Sequence, residues 1–309
     1  MKTLMQMDPP EHTFYRRLLT ADFMVRKVEG LRPGIQRLVD DLIDTMLAGP
    51  RPADLVEALA LPLPSLVICE LLGVPYGDRA FFQRVAGELV MDEGDPARAV
   101  AASEELDGYL DGLLEEAGDG ILGRLAGGGA MTRPEIRTMA QLLLVAGHDT
   151  TANMIALGTA ALLANPDQLA AVRDGDAALV ANTVEELLRY LSITHTEARR
   201  VALEDLEVGG QLIRAGEGIV VVKSVANRDP AAFPGPGTLD VRRKARHHVA
   251  FGYGVHQCLG QPLARVELQV VYGTLYRRIP TLALAVPLER LDFKDHAVFY
   301  GVRELPVTW

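Results

Sequence analysis

One short stretch near the end of the chain constrains the fold most strongly, because it places glycines around a lone cysteine just before a helix-forming segment. It runs from Phe251 to Arg265, with the letters FGYGVHQCLGQPLAR and the cysteine at Cys258. Glycine lets a backbone turn tightly and pass close to a flat ligand. The first turn of a helix favours a thiolate over a thiol. The stretch therefore predicts either a reactive thiolate on a rigid loop or a structural cysteine beside a tight turn.

Composition sets the class of protein. The 309 residues suffice for one large domain or two ordinary ones, and 49% hydrophobic with 23% charged residues indicates a globular protein. The net charge of −10 argues against a general nucleic-acid binder. Cys69 and Cys258 are the two cysteines, so we expect a reducing, cytoplasmic location, although one disulfide stays possible. We see no signal peptide and expect no membrane anchor.

Helical periodicity dominates the pattern, and strand signals are short and late. Paired glycines at Gly209 and Gly210 indicate a hairpin, and Ile219–Val222 is a β-branched run. Residues 231–248 form a Pro/Gly-rich meander, and such long irregular stretches are often functional. We therefore expect a mainly α fold with small β-sheets. The expected helices cover residues 11–20, 31–48, 53–73, 78–92, 95–116, 176–191 and 262–278.

A polar break interrupts the most apolar helical segment, residues 142–157. Gly147 is followed by His148, Asp149 and Thr150, although the flanks are apolar enough for burial on all sides. One interpretation is a helix–loop–helix break, since these are good turn residues. The other is a functional groove, because Ala146 and Thr150 are four residues apart and share one small-residue face.

Charged residues supply three further candidate groups. Glu186 and Arg189 are three apart on a helix and can touch, although such pairs are usually solvated. His12 and Arg16 are four apart on the first helix and would suit carboxylates. A basic cluster over 242–248 is either a solvated loop or a docking surface for an acidic partner.

The loop around Cys258, the Asp149–Thr150 pair and the Glu186–Arg189 pair together resemble the cytochrome P-450 family over essentially the whole chain, from about Met7 to Trp309. The resemblance is to soluble actinobacterial members. It implies one haem-thiolate monooxygenase domain, 1–309, that binds haem b with Cys258 as the iron ligand. Family members normally carry an N-terminal segment before the Asp8-Pro9-Pro10 stretch. We therefore expect the family fold in an N-terminally truncated form.

The resemblance also assigns roles to individual residues. Asp149 and Thr150 match the acid–alcohol pair that delivers protons. Glu186 and Arg189, with Arg243 from the meander, match a buried structural network. Substrate contacts are expected in two loops, at Ile193, Thr194, His195, Val298 and Phe299. The expected haem contacts are His12, Arg16, Ala146, Arg200, Phe251, Gly252, His256, Cys258 and Gly260.

By resemblance, the chain hydroxylates, epoxidises or oxidatively couples a hydrophobic small molecule of secondary metabolism. It would use O2 and electrons from a ferredoxin and its reductase, with no nucleic-acid or membrane partner. Two other functions stay open. The missing segment is compatible with a non-catalytic haem-binding or recruitment module, and the same haem centre is compatible with a peroxygenase that uses hydrogen peroxide directly.

Overall fold

The computed structural model describes residues 2–90, 96–115, 118, 120–194 and 198–309. Most of them lie in α-helices, as the sequence predicts. The helices are α1 (Glu11–Thr20), α2 (Val25–Glu29), α3 (Arg32–Ala48), α4 (Pro62–Leu72), α5 (Arg79–Val90), α6 (Pro96–Glu115), α7 (Ile121–Gly128), α8 (Arg133–Leu163), α9 (Pro166–Asp174), α10 (Ala177–Leu191), α11 (Lys223–Ala226) and α12 (Gln261–Arg278).

The strands are short and antiparallel. They are β1 (Ala53–Asp54), β2 (Ala198–Val201), β3 (Leu206–Val208), β4 (Gln211–Ile213), β5 (Gly218–Val221), β6 (Ala283–Leu284) and β7 (Pro306–Thr308). They form a three-stranded sheet in the order β1-β7-β6 and two two-stranded sheets, β2-β5 and β3-β4. Gly209 and Gly210 turn the β3-β4 hairpin with φ values of 59° and 79°, which glycine adopts without strain. Among the described strands, β5 pairs only with β2.

Helix α8 is the central element of the fold and runs unbroken through its polar middle. Glu135 caps its start by accepting hydrogen bonds from the backbone N–H (2.6 Å) and hydroxyl (2.8 Å) of Thr132. The helix then continues for 31 residues to Leu163. The interpretation of a helix break at Gly147 is therefore wrong. Glycine costs a helix roughly 1 kcal/mol, and packing against α4, α5, α6, α10 and α12 outweighs that local preference.

The segment 53–73, predicted as one helix, is divided into three elements. Strand β1 comes first, a π-helical turn covers Val56–Ala60, and α4 starts after Leu61. Ala53 pairs with Val307 of β7, and the Asp54 carboxylate accepts hydrogen bonds from the N–H groups of Val56 (2.9 Å) and Leu305 (2.7 Å). The strand exists because of a partner about 250 residues away, which local periodicity cannot indicate.

The buried apolar side chains form one cluster that extends from Leu4 to Val307. Helices α8 and α12 meet in it, where the Tyr272 hydroxyl donates to the carbonyl of Met154 (2.5 Å). In the part of the chain that the structure describes, no helix combines the length and apolarity needed to cross a membrane.

Gly158 lets α12 approach α8 closely. A Cβ atom at Gly158 would lie 2.0 Å from the Tyr272 hydroxyl oxygen, whereas one at Gly147 of the same helix would meet only Ile68, at 3.5 Å. We expect Gly158→Ala to lower the free energy of unfolding by about 1–3 kcal/mol through overpacking. Gly147→Ala should instead raise it by up to about 1 kcal/mol. Urea unfolding followed by circular dichroism measures both, and equal effects would contradict the packing account.

Candidate active site

The loop before α12 has a fixed backbone. The N–H of Cys258 donates to the carbonyl of Phe251 (2.8 Å), and that of Gln257 donates to the carbonyl of Gly254 (3.0 Å). Gly252 and Gly254 have φ values of 72° and 78°, in the left-handed region that favours glycine. A Cβ atom on either would meet nothing within 4 Å. The glycines are therefore required by backbone conformation, and they leave open space beside the loop.

Cys258 lies at the entrance to α12. Its thiol is exposed, and the N–H groups of Gly260 and Gln261 in the first turn donate hydrogen bonds to its sulfur. The residue keeps contact with solvent, but protein atoms around its sulfur exclude enough water to raise the pKa of the thiol, while those N–H groups and the charges of Arg16 and Arg265 oppose the rise. A metal cation at the sulfur would remove the proton outright. The open thiol, held by helix N–H groups, can therefore serve as a thiolate ligand.

A group of cations and imidazoles lies beside the cysteine loop. Arg16 donates to the carbonyl of Gln257 (2.6 Å), and the rings of His12 and His256 lie 4.2 Å apart. The pKa of His12 is lowered by burial and then by the charges of His256 and Arg16. The pKa of His256 is lowered by burial and then by the charge of Arg200. Two arginines and two imidazoles are thus gathered beside the loop, and an anion bound there would balance their positive charge.

His12 tests whether a haem fits here. It is only 1% exposed, and neither ring nitrogen has a hydrogen-bond partner in the structure. An unpaired buried polar group costs about 1–3 kcal/mol, so such a side chain is kept only where something satisfies it. Haem propionates are carboxylates that accept from imidazole and guanidinium groups. The residues present therefore fit a haem: Cys258 would hold its iron, and His12, Arg16, Arg200 and His256 would bind its propionates.

Replacing His12 should have opposite effects on the two forms of the protein. His12→Leu removes two unsatisfied buried nitrogens from the apoprotein, so we expect apoprotein stability to rise. The same change removes a propionate donor, which should accelerate haem loss about ten-fold or more, since a hydrogen bond to a charged group contributes about 1.5–3 kcal/mol. Haem transfer to excess apomyoglobin and urea unfolding measure the two. His247→Leu, at an exposed histidine, should leave the rate of haem loss unchanged; haem loss from His12→Leu no faster than from the wild type would contradict the assignment.

One side of α8 faces open space. Ala146 is exposed and Thr150 half-exposed, although His148 and Asp149 beside them are buried. The Thr150 hydroxyl donates to the carbonyl of Ala146 (2.7 Å), a bond from which it can turn to relay a proton. Burial lowers the pKa of His148 to about 4, so that ring is neutral. The small groove expected from the Ala146–Thr150 face is therefore present as an open strip on a buried helix.

The Glu186–Arg189 pair is fully buried, so the interpretation as a solvated surface pair is wrong. Arg189 makes a bidentate ion pair with Glu186, at 2.7 and 2.8 Å, and both side chains are 0% exposed. Arg243 joins them at 3.1 Å from the same carboxylate. Arg189 also donates to the carbonyl of Asn227 (3.0 Å), just before the meander, and to that of Pro236 (2.9 Å) within it. The three residues thus bind the meander to helix α10.

A second ion-pair group, which the sequence did not reveal, holds the cysteine loop. Glu185 accepts from Arg265 at 2.6 and 3.0 Å and contacts His248 at 3.1 Å. The Arg265 guanidinium stacks over the Phe251 ring at 4.6 Å, and the Phe251 carbonyl receives the Cys258 N–H. Glu185 therefore supports the loop through Arg265. The acidic doublet with Glu186 was the available signal, but its partners lie 63 and 80 residues away.

The basic cluster is divided between the interior and the surface. Arg243 and His248 are bound to Glu186 and Glu185 and do not contribute to a docking surface. Arg242, Lys244 and Arg246 are exposed. His247 is exposed as well but stacks on Phe233. The exposed basic residues form a smaller positive patch than the sequence suggested, because their inward neighbours neutralise buried carboxylates.

Glu185→Gln tests the second ion-pair group through pH. Burial by itself would raise the pKa of Glu185, but hydrogen bonds from His248 and Arg265 more than reverse that rise and bring the pKa to about 2. A carboxyl group whose pKa is lower in the folded chain than in the unfolded chain stabilises the fold at pH values above its unfolded pKa. This stabilisation is lost as the pH falls towards 2. At neutral pH, the free energy of unfolding of the wild type should therefore exceed that of Glu185→Gln by on the order of 3 kcal/mol, since one pKa unit corresponds to about 1.4 kcal/mol. Urea unfolding should show the difference shrinking below about pH 4.5; a difference that grows with acid would contradict this.

The structure brings the expected substrate loops together. Thr194 pairs with Phe299 in an isolated antiparallel bridge, and the N–H of Tyr300 donates to the carbonyl of Ile193 (2.7 Å). Val298, beside Phe299, is 47% exposed. His195 lies outside the described residues. Two segments about 100 residues apart therefore form one small surface that presents apolar side chains to solvent.

The chain is similar over nearly its whole length to several proteins of Streptomyces. It is 55% identical to Cytochrome P450-SU2 of Streptomyces griseolus over 311 residues, covering 99% of this chain and 77% of that protein. It is 50% identical to pentalenic acid synthase of Streptomyces avermitilis, and the match covers 99% of this chain and 77% of that protein. The solved structure of GfsF, from Streptomyces halstedii, superimposes with a TM-score of 0.97 at 53% identity, covering 100% of this chain and 80% of that one.

A second solved structure extends the same similarity. The mycinamicin VIII C21 methyl hydroxylase of Micromonospora griseorubida, bound to mycinamicin VIII, matches with a TM-score of 0.92 at 43% identity, covering 100% and 80%. A family model described as Cytochrome P450 matches residues 101–279, which include α8, the Glu186–Arg189 pair and the Cys258 loop. The chain belongs to the cytochrome P450 family of haem-containing monooxygenases.

Proposed function

We propose that the chain oxidises a hydrophobic small molecule of secondary metabolism, by hydroxylation, epoxidation or oxidative coupling. The observation that carries this proposal is the exposed Cys258 thiol, held by N–H groups of Gly260 and Gln261 beside the His12 cluster. Relatives named for hydroxylation of mycinamicin VIII and for synthesis of pentalenic acid support the substrate class. Val298 and Phe299 would contact the substrate.

The proposed cofactor is haem b, which, when bound through a thiolate, activates O2 for transfer of one oxygen atom to the substrate. Cys258 would hold the iron, and Ala146, Phe251, Gly252 and Gly260 would contact the flat faces and edges. His12, Arg16, Arg200 and His256 would bind the propionates. Cys69 is buried and far in sequence from Cys258, so the chain has no cysteine pair for a thioether attachment, and non-covalent haem b is the form that the sequence supports.

Asp149 and Thr150 would deliver protons on the open side of α8. The Thr150 hydroxyl faces the open strip, and Asp149 is buried beside it. A hydroxyl both donates and accepts hydrogen bonds. Thr150 can therefore pass its proton to a bound group while the neighbouring Asp149 carboxyl group supplies another proton to it. Glu186, Arg189 and Arg243 would act structurally, by fixing the meander beneath the Cys258 loop.

Ferredoxin and its reductase are the proposed electron source. The exposed Arg242, Lys244 and Arg246 precede the cysteine loop and would attract an acidic ferredoxin, in the direction that speeds encounter. A cytoplasmic location, as one domain over 1–309, is part of the same proposal. Two cysteines that are free in the structure are compatible with a reducing compartment.

Turnover with a defined electron supply tests the proposal. The purified holoprotein is incubated with mycinamicin VIII and other hydrophobic natural products, ferredoxin, ferredoxin reductase, NADPH and isotopically labelled O2. Mass spectrometry should detect a product that has gained one labelled oxygen atom, for hydroxylation or epoxidation, or lost two hydrogen atoms, for oxidative coupling. Product formed with hydrogen peroxide, but never with ferredoxin, would replace the electron source with peroxide. No bound haem would favour the alternative of a non-catalytic recruitment module.

A further inference from the structure

Asp149 lies at a buried position that has consequences for proton delivery. Its side chain is about 8% exposed, and it is followed by the half-exposed Thr150. Holding a carboxyl group within an apolar helix bundle is costly unless a partner compensates for the lost water. A carboxyl group that relays protons must also keep a defined position relative to the hydroxyl that it serves.

Lys294 supplies a partner from a different part of the chain. Its ammonium nitrogen lies 3.9 Å from Asp149 Oδ1 and 3.2 Å from the side-chain oxygen of Asn153. Asp149 and Asn153 are four residues apart, so they lie on one face of α8. The Lys294 side chain is only 21% exposed, and Coulomb attraction is stronger there than in bulk water. The ammonium thus bridges two polar groups along one helical turn.

The backbone around Lys294 is held firmly against α8. Lys294 N–H donates to the carbonyl of Gly301 (2.9 Å), and Phe293 pairs with Val302 across the same hairpin. A Cβ atom on Gly301 would lie 1.9 Å from the Asn153 side-chain oxygen. Glycine therefore allows the base of the hairpin to pack directly against the helix. The position of Lys294 is set by this contact as well as by its own ion pair.

The other end of this hairpin carries the substrate-contact candidates. Thr194 pairs with Phe299, and Tyr300 N–H donates to Ile193. One hairpin, residues 293–302, therefore joins the apolar surface at Val298 and Phe299 to the ammonium beside Asp149. A displacement of its tip by a bound molecule would be transmitted to Lys294 through only a few residues.

We propose that Lys294 is a positioning residue for Asp149. Its ammonium group keeps the carboxyl group at a fixed position relative to the Thr150 hydroxyl, and the hairpin couples that position to the substrate surface. This inference rests on the proposed role of Asp149 and Thr150 in proton delivery. Oxygen activation consumes protons as well as electrons. Without substrate, complete reduction of O2 to water takes four electrons and four protons, whereas release as hydrogen peroxide takes two of each.

The first experiment asks whether Lys294 acts on Asp149. Urea midpoints of the haem-loaded protein are measured for Lys294→Met, Asp149→Asn and the double variant. We expect the double variant to be clearly less destabilised than the sum of the single ones, as interacting pairs behave. Additive midpoints would overturn the proposal. Lys27→Met is the matched control, because Lys27 pairs with the buried Asp22 elsewhere in the fold, and it should be additive with Asp149→Asn.

The second experiment measures proton delivery without a substrate. The holoenzyme is supplied with ferredoxin, reductase, NADPH and O2, and NADPH oxidation is followed in H2O and in D2O. We expect Lys294→Met to lower the rate roughly ten-fold, a part of the about 100-fold or more that general acid–base catalysis contributes, and to enlarge the solvent isotope effect. Lys294→Arg should restore both, and Lys27→Met should change neither.

The outcomes separate the inference from the function on which it rests. An unchanged rate and isotope effect in Lys294→Met, with a normal effect in Asp149→Asn, would overturn the positioning role and leave the proton route intact. A loss of rate in Lys294→Met without any change in isotope effect would indicate a merely structural role and would also overturn it. If Asp149→Asn itself changes neither quantity, the proposed proton route fails and Lys294 has no relay to position.

Discussion

Cys258→Ala is expected to abolish oxygenation completely. The variant keeps the fold, because the Cys258 thiol is exposed and the loop is held by its backbone bond to Phe251 and by the ion pair of Glu185 with Arg265. It loses the sulfur that would hold the iron, and with it the electron donation that thiolate ligation provides for O–O cleavage. Product formation with ferredoxin, reductase and NADPH measures the effect.

Cys69→Ala is the matched control for that loss. Cys69 is buried in α4, and desolvation raises the pKa of its thiol to about 12, so it is an inert, protonated side chain. The control should keep full activity, with only the small loss of stability that a core truncation brings. Residual oxygenation by Cys258→Ala, or inactivity of Cys69→Ala, would contradict the assignment of the ligand.

Arg189→Leu is expected to have the largest effect on folding. The change leaves Glu186 buried without its bidentate partner and frees the carbonyls of Asn227 and Pro236. Breaking a buried pair in this way costs about 3–5 kcal/mol, a large part of the total stability of about 5–15 kcal/mol of a typical domain. Urea unfolding and the yield of haem-loaded protein measure the loss.

The chain contains a matched surface pair that isolates the effect of burial. Arg32 and Glu29 have the same three-residue spacing and the same bidentate geometry, at 2.7 and 2.8 Å, but their side chains are 35% and 46% exposed. Exposed pairs contribute about 0–1 kcal/mol, so Arg32→Leu should cost far less than Arg189→Leu. Equal losses would mean that burial does not control the strength of the Glu186–Arg189 pair.

The local sequence was informative where the structure has a local physical cause. The glycines around Cys258 and the paired glycines of the β3-β4 hairpin each have a local physical cause, and the structure has the corresponding loop and turn. The mainly α architecture was predictable for the same reason, since helical periodicity needs no distant partner.

What the sequence could not show depends on contacts between distant residues. The strand at Ala53 forms because Val307 pairs with it, and α8 stays helical through Gly147 because its neighbours pack around it. Glu185 was missed because its partners Arg265 and His248 follow 80 and 63 residues later. Lys294 was missed in the same way, since a lone lysine in a loop gives no local signal of the carboxylate beside it.

The most direct test of the account is the visible absorption spectrum of the purified wild-type protein after reduction with dithionite and exposure to carbon monoxide. We expect bound haem with a strongly red-shifted Soret band, as an iron held by the Cys258 thiolate would give. A protein that binds no haem, or a band typical of a histidine or neutral ligand, would contradict the claim that this chain forms a thiolate–haem centre.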